Sequence, residues 1–217
     1  MIANSRAKSA FSIPMDSKME IYLLRHGAST SNEKRIVCGA ADYPLSEKGK
    51  AQAYQVCQTL NNIPFTHVYT SPLSRARETI ANLTCSSNAI IEEELVELNT
   101  GLVSHITVDE LWETEPRYRY QGLDPDFKYP EGECLNDMLL RVGNWFEKRF
   151  IEWNSSDTIL IAGHEGTVCG ILHRLLKLQI DHYPTFTIGN CEYIRITINE
   201  DRQIRYQFFP LHPVEIF

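Results

Sequence analysis

The sequence predicts an α/β fold: a three-layer sandwich with a mostly parallel central sheet, helices on its faces and an inserted lid. Three observations carry this. Short apolar runs of strand length alternate with segments of helical period. The run Thr158-Ile159-Leu160-Ile161-Ala162 is apolar almost throughout, as suits a strand buried on both faces of a parallel sheet. The 217 residues, 43% of them hydrophobic, suffice for one sizeable core.

The elements follow in order. Residues 1–18 are polar and rich in small residues, without the apolar stretch of a secretory signal, and read as a flexible N-terminal tail. Met19, directly before the first strand, is a candidate true start. Residues 19–217 are then a single domain. Residues 20–24 form an apolar strand. Ser46 is placed to cap a helix over 47–60, with Ala53, Val56, Cys57 and Leu60 on one face. A short strand at 67–70 precedes Ser71-Pro72, and proline suits the first turn of a helix running to about Leu83. Ile90 and Ile91 begin another strand. Residues 98–131 lack a clean period and read as an insertion, a lid with some helix around 109–112. Leu135, Met138, Leu139, Val142 and Phe146 repeat at helical spacing. After the strand at 158–162, a helix carries Val168, Ile171, Leu172 and Leu175 on one face. Ile194, Ile196 and Ile198 alternate as a strand, as do Ile204, Tyr206 and Phe208. The apolar end at 208–217 could cover a sheet edge or a partner, for instance in a homodimer.

A net charge of −7 argues against a broad nucleic-acid or membrane surface, but leaves room for a small anionic ligand in a locally positive pocket. No run reaches transmembrane length. Six scattered cysteines without a CxxC pair indicate neither a zinc site nor a disulfide framework, and read as reduced, mostly buried small groups. A cytoplasmic location is expected.

Three segments share one grammar: Arg25-His26-Gly27, residues 71–75, and Gly163-His164-Glu165-Gly166. Each ends an apolar strand with a break that carries basic or imidazole groups. Ligands of open α/β sheets sit outside the carboxyl ends of the strands. If the three strands are neighbours, Arg25, His26, Arg75 and His164 converge, and together they call for an anion with several oxygens.

These residues resemble the histidine phosphatases of the phosphoglycerate mutase-like superfamily, branch 1. Arg25-His26-Gly27 matches the signature of that family, with Ser29 and Asn32 after it. Asp42-Tyr43-Pro44-Leu45-Ser46-Glu47-Lys48-Gly49 with Gln52-Ala53 matches a second segment. Ser71-Pro72-Leu73-Ser74-Arg75-Ala76 with Thr79 matches a third, Leu95-Val96-Glu97 before Gly101 a fourth, and His164 is the second histidine. Gly132-Glu133 resembles a Gly-Glu-Ser that opens a later helix, with Cys134 in the serine's place. Five ordered segments over about residues 20–175 form a specific signal.

The resemblance implies a metal-independent phosphomonoester hydrolase, without cofactor, acting on a small phosphorylated metabolite. His26 would be the nucleophile and form a phosphohistidine. Arg25, Arg75 and His164 would bind the phosphoryl oxygens, with Ser29 and Asn32 as further phosphate-binding candidates. Glu97 would be the general acid, then the base. Arg77, two residues from Arg75, should face elsewhere. Lys34 and Arg35 read as solvated loop charges, and Glu92, Glu93 and Glu94 as a solvated acidic run. His105 in the lid, like His67, His173, His182 and His212, has no comparable context. Trp112, Tyr118, Tyr120, Phe127 and Tyr129 could stack on a substrate ring, though packing in the lid's own core is the more economical expectation.

Two positions depart from the family pattern. Ala28 follows Arg-His-Gly where glutamate is common. Glu165 follows His164 where small residues are common. The Glu165 carboxylate either turns away from the phosphoryl site or raises the pKa of His164 and keeps it cationic. Two alternative functions remain at this point: a phosphoglycerate mutase-type phosphotransferase, and a catalytically retired phosphoryl-binding or interaction module. The complete set of five site residues speaks against the second.

Overall fold

The computed structural model describes residues 18–121, 124–179 and 186–211. The expected tail at 1–17, His182, His212 and the apolar end at 212–217 lie outside the described residues, as does the Tyr120 side chain. The strands are β1 (Met19–Arg25), β2 (His67–Thr70), β3 (Ile90–Ile91), β4 (Thr158–Gly163), β5 (Tyr193–Ile198) and β6 (Ile204–Phe209). They form one sheet in the order β3-β2-β4-β1-β5-β6. β3, β2, β4 and β1 run parallel, and β5 and β6 pair antiparallel. The sheet is therefore mostly parallel, as expected.

Alternation along the strands divides the core into two layers. Ile21, Leu23, Ile159 and Ile161 face helices α6 (Leu135–Phe150) and α7 (Glu165–Leu176), which add Met138, Val142, Phe146, Val168 and Ile171. Tyr22, Leu24, Leu160 and Ala162 face α2 (Glu47–Leu60) and the segment of α3 (Ser74–Ile80), which add Val56, Cys57, Leu60, Ile80 and Leu83. β4 lies between β2 and β1 and is buried on both faces, which explains its unbroken apolar run.

The ends of the helices follow local chemistry. Ser46 caps α2, its hydroxyl accepting from Gly49 N at 3.1 Å. The helix expected over 71–83 is shorter, Ser74–Ile80, and Pro72 lies before its N-cap Leu73 instead of inside its first turn. Asp42 sets that start from outside, since its Oδ1 accepts from both the Ser74 amide and hydroxyl at 2.7 Å. Cys134 caps α6 through sulfur, accepting from Asp137 N at 3.4 Å. All six cysteines are free, and four are buried.

Residues 98–131 hold a single-turn 3₁₀ helix, α4 (Val108–Thr114) and α5 (Tyr118–Gln121). They have a small core of their own, in which Val103, Leu111 and Tyr118 pack with Phe127 and Tyr129. The rings of Tyr118, Phe127 and Tyr129 lie 5.4–5.8 Å from one another, so three of the aromatics serve packing. Trp112 stacks under the Arg119 guanidinium. The segment is tied back by Val37 N to Ile106 O (2.8 Å), Tyr43 Oη to His105 Nδ1 (2.7 Å), and Arg35 to Asp109 (3.1 Å). Arg35 thus stays exposed while paired with Asp109, and His105 is bonded to Tyr43.

The loop after β1 is held by polar groups from both helices on its side of the sheet. Ala28 N donates to Gln52 Oε1 and Gly27 N to Thr79 Oγ1, both at 2.9 Å, and Ala28 O accepts from Ser46 N at 2.9 Å and Ser46 Oγ at 3.1 Å. α2 approaches so closely that a Cβ on Gly49 would stand 1.9 Å from Ala28 O. Gly49→Ala should therefore lower stability by about 2 kcal/mol, within the usual cost of overpacking. The midpoint of urea unfolding measures it.

Candidate active site

Register brings the candidate residues together. β1 and β4 pair Arg25 with Gly163, and β2 and β4 pair Thr70 with Ala162. The next residues, His26, Ser71 and His164, consequently emerge side by side at the carboxyl ends of three adjacent strands. The rings of His26 and His164 are 5.1 Å apart, at 62°. His26 is 5% exposed, and His164 and Arg75 are fully buried.

Each group is held by identifiable partners. His26 Nδ1 lies 2.7 Å from Gly27 O. A carbonyl only accepts, so Nδ1 carries the proton and the Nε2 lone pair is free. Burial pushes the His26 pKa down to about 3, and the charges of Arg75 and Arg25 add to the shift. His164 Nε2 meets Ser71 Oγ at 2.9 Å, and Ser71 Oγ also accepts from Leu73 N at 3.3 Å. With the serine proton given to Nε2, His164 presents an N–H at Nδ1. Burial, then Arg75, His26 and Arg25, holds His164 well below its ordinary pKa. Glu165 does not keep it cationic, because that carboxylate is turned to Arg25, with Oε2 3.0 Å from Nη1.

Arg75 donates Nη1 to Ala41 O at 2.9 Å and Nη2 to Gly39 O at 2.7 Å. Arg25 Nη1 donates to Ile188 O as well as meeting Glu165. Arg25 Nε, Arg75 Nε and His164 Nδ1 are buried, and none has a hydrogen-bond partner among the described residues. Three unpaired buried donors beside a free imidazole lone pair are suited to receive an oxyanion.

Glu97 reaches the same end of the sheet. Its Oε2 accepts from Gly166 N at 3.2 Å and its Oε1 from Leu98 N at 2.8 Å, at the N-terminus of α7. A Cβ on Gly166 would stand 2.2 Å from Glu97 Oε1, so a side chain there would push the carboxylate aside. Arg141 braces the approach by donating to Glu94 O and Val96 O while pairing with Glu133 at 2.6 Å. Glu93 and Glu94 are exposed as expected, but Glu92 is buried and paired with Arg149. Arg77 is exposed.

Ser29 and Asn32 are turned to each other. Ser29 Oγ caps α1 (Thr30–Glu33), accepting from Asn32 N at 3.2 Å, and Asn32 Oδ1 accepts from Ser29 N at 3.0 Å. Ser29 is fully buried and also bonds Ser31, so its hydroxyl serves the turn. Two contributors have no sequence signal of their own. Ser71 lay inside a recognised motif but without a role. In the loop at 188–191, Ile188 O accepts from Arg25, Asn190 Nδ2 donates to His26 O at 3.0 Å, and Cys191 N bonds Arg25 O at 3.1 Å. Cys191 takes the left-handed conformation, φ 56°, to do so.

The family model of the histidine phosphatase superfamily (branch 1) matches residues 21–207. The protein called "Probable phosphoglycerate mutase GpmB" of Shigella dysenteriae serotype 1 is 34% identical over 186 residues, covering 84% of this chain and 86% of that one. Its Erwinia tasmaniensis namesake is 30% identical over 183 residues, covering 82% and 84%. Among solved structures, a mycobacterial glucosyl-3-phosphoglycerate phosphatase complexed with VO3 has a TM-score of 0.75 at 22% identity, covering 88% of this chain and 97% of its own. The phosphoserine phosphatase of Entamoeba histolytica, complexed with 3-phosphoglyceric acid, has a TM-score of 0.72 at 21% identity, covering 88% and 96%. Among the described residues no helix is long and apolar enough to cross a membrane.

The low His26 pKa has a consequence for stability. Between about pH 3 and 6.5 the unfolded chain binds a proton at this position that the folded chain refuses, so folding loses free energy as pH falls through that window. His164 adds in the same direction. His26→Gln removes one of the two groups. Its melting temperature should fall less steeply than that of the wild type between pH 6.5 and 4, as followed by circular dichroism.

Proposed function

Because the chain belongs to the histidine phosphatase superfamily (branch 1), we propose that it is a metal-independent phosphomonoester hydrolase working through a phosphohistidine at His26. One observation carries this most: Arg25 Nε, Arg75 Nε and His164 Nδ1 are buried and unpartnered in the same cluster as His26, whose Nε2 is free. The donors match the equatorial oxygens of a phosphoryl group, where charge is spread in the transition state.

Chemistry at these residues proceeds in two displacements. His26 Nε2 attacks phosphorus in line as the ester P–O bond breaks, and Glu97 gives a proton to the leaving oxygen. Water then attacks the phosphohistidine while Glu97 takes its proton, releasing phosphate and restoring neutral His26. Burial keeps His26 unprotonated at neutral pH, so its lone pair needs no separate base. Residues 98–131 act as the lid and supply the leaving-group contacts. The protein works in the cytoplasm on a small metabolite.

A mutase reading is favoured by the names of the curated relatives, 34% and 30% identical over most of the chain. It differs in the fate of the phosphohistidine, which a mutase must shield from water and return to a second hydroxyl. Both readings use the same five residues, and the assay below separates them.

His26→Ala should abolish both phosphate release from p-nitrophenyl phosphate and ³²P labelling of the protein, and EDTA should leave the wild-type rate unchanged. Appreciable turnover by the folded variant refutes the nucleophile; conversion of 3- to 2-phosphoglycerate faster than phosphate release favours the mutase. Glu97→Gln should slow turnover by about 10²–10⁴-fold. A loss no greater than that of Glu94→Gln in the same assay removes Glu97 from the acid–base role.

A further inference from the structure

Glu165 is the site residue the two-step chemistry does not use. It is the first residue of α7, directly after the fully buried His164, and its carboxylate forms a 3.0 Å ion pair with Arg25. The exposure of the site is graded. His164 and Arg75 are fully buried and His26 is nearly so, whereas the side chains of Arg25 and Glu165 are 18% and 35% exposed. Among these side chains, those of Arg25 and Glu165 therefore stand nearest to solvent. A substrate that placed its phosphoryl group against His26 and left along that side would carry its leaving group past the pair.

The charge count at this rim is unusual for a phosphate site. Both imidazoles are held neutral, so the cations nearest them are Arg25 and Arg75, with Arg141 acting on His164 from its pair with Glu133. Two carboxyl groups, Glu97 and Glu165, stand against them. A phosphomonoester dianion consumes what positive potential remains. A further carboxylate or phosphate on the leaving group would meet Glu165 without a compensating cation from the loop after β1, since Arg35 is already paired with Asp109 and Lys34 is exposed to water. Like charges brought together in this way repel, whereas an ammonium would be attracted.

We propose that Glu165 determines specificity, admitting phosphomonoesters whose leaving group is neutral or carries an ammonium and turning away those with a second acidic group beside the ester. This rests on the phosphoryl-transfer reading of the site and names the substrate class for it. It also sets the chain apart from enzymes of phosphoglycerates, whose alcohol leaving group carries a carboxylate. The juxtaposition that carries it is a rim carboxylate locked to one of the two phosphoryl-facing guanidiniums.

The test compares wild type with Glu165→Gln and Glu165→Ala on three esters: p-nitrophenyl phosphate, phosphoethanolamine and 3-phosphoglycerate. Relative to p-nitrophenyl phosphate, kcat/KM for 3-phosphoglycerate should rise about tenfold in both variants, chiefly through KM, and that for phosphoethanolamine should fall. The same substitutions in a His26→Ala background should shift the ratio of the two Kd values, measured calorimetrically, in the same sense. An equal change for all three esters, or an unchanged Kd ratio, overturns the proposal. Failure of wild type to release phosphate from p-nitrophenyl phosphate defeats the hydrolase reading instead, and the Kd ratio then decides on Glu165 alone.

Discussion

Two imidazoles and two guanidinium groups share one pocket, and the arrangement depends on keeping the imidazoles neutral. Charging either would add a third cation to a buried cluster with no room for another carboxylate. Burial and the neighbouring arginines both push the same way, so neutrality follows from position. Once neutral, each ring must be told which nitrogen carries its proton. Gly27 O answers for His26 and Ser71 for His164. The result is one lone pair and several donors in a small volume, which is the complement of an electrophilic phosphorus surrounded by oxygens.

Much of this was legible in the sequence because the same residues serve fold and site. The unbroken 158–162 run marked the strand that had to lie between two others, and parallel register then forced His26 and His164 together. Ser46, Gly49 and Gln52 matched a motif, and their work proves structural: they satisfy or clear the backbone of residues 27 and 28. Helical geometry set Arg75 and Arg77 on different faces, and the motif match picked Arg75. What could not be read depended on contacts distant in sequence. Glu92 looked like one more acid in a row until Arg149 was found beside it, 57 residues away. The loop at 188–191 carries no pattern, because its groups act through one backbone carbonyl, one backbone amide and the Asn190 side chain. The α3 start was misplaced because the cap comes from Asp42, not from the local Ser71-Pro72.

The aromatic residues of 98–131 show how composition misleads about ligands. Five rings in a short insertion suggest a stacking surface, yet Tyr118, Phe127 and Tyr129 bury one another. A segment of this length outside the main core needs its own apolar contacts to hold a shape, and aromatics supply the most area per residue. Leaving-group recognition must then fall to fewer groups, and to polar ones.

Glu97 and Glu165 divide the N-terminus of α7 between them. Glu97 takes the helix's free amide at Gly166, and Glu165 turns away from the helix to Arg25. Had both carboxylates faced the phosphoryl pocket, their charge would have cancelled that of the arginines where it is needed. Glycine at 166 permits the division, since a side chain there would displace Glu97. One helix start thus orients the second histidine, seats the Glu97 carboxylate and holds Glu165 against Arg25.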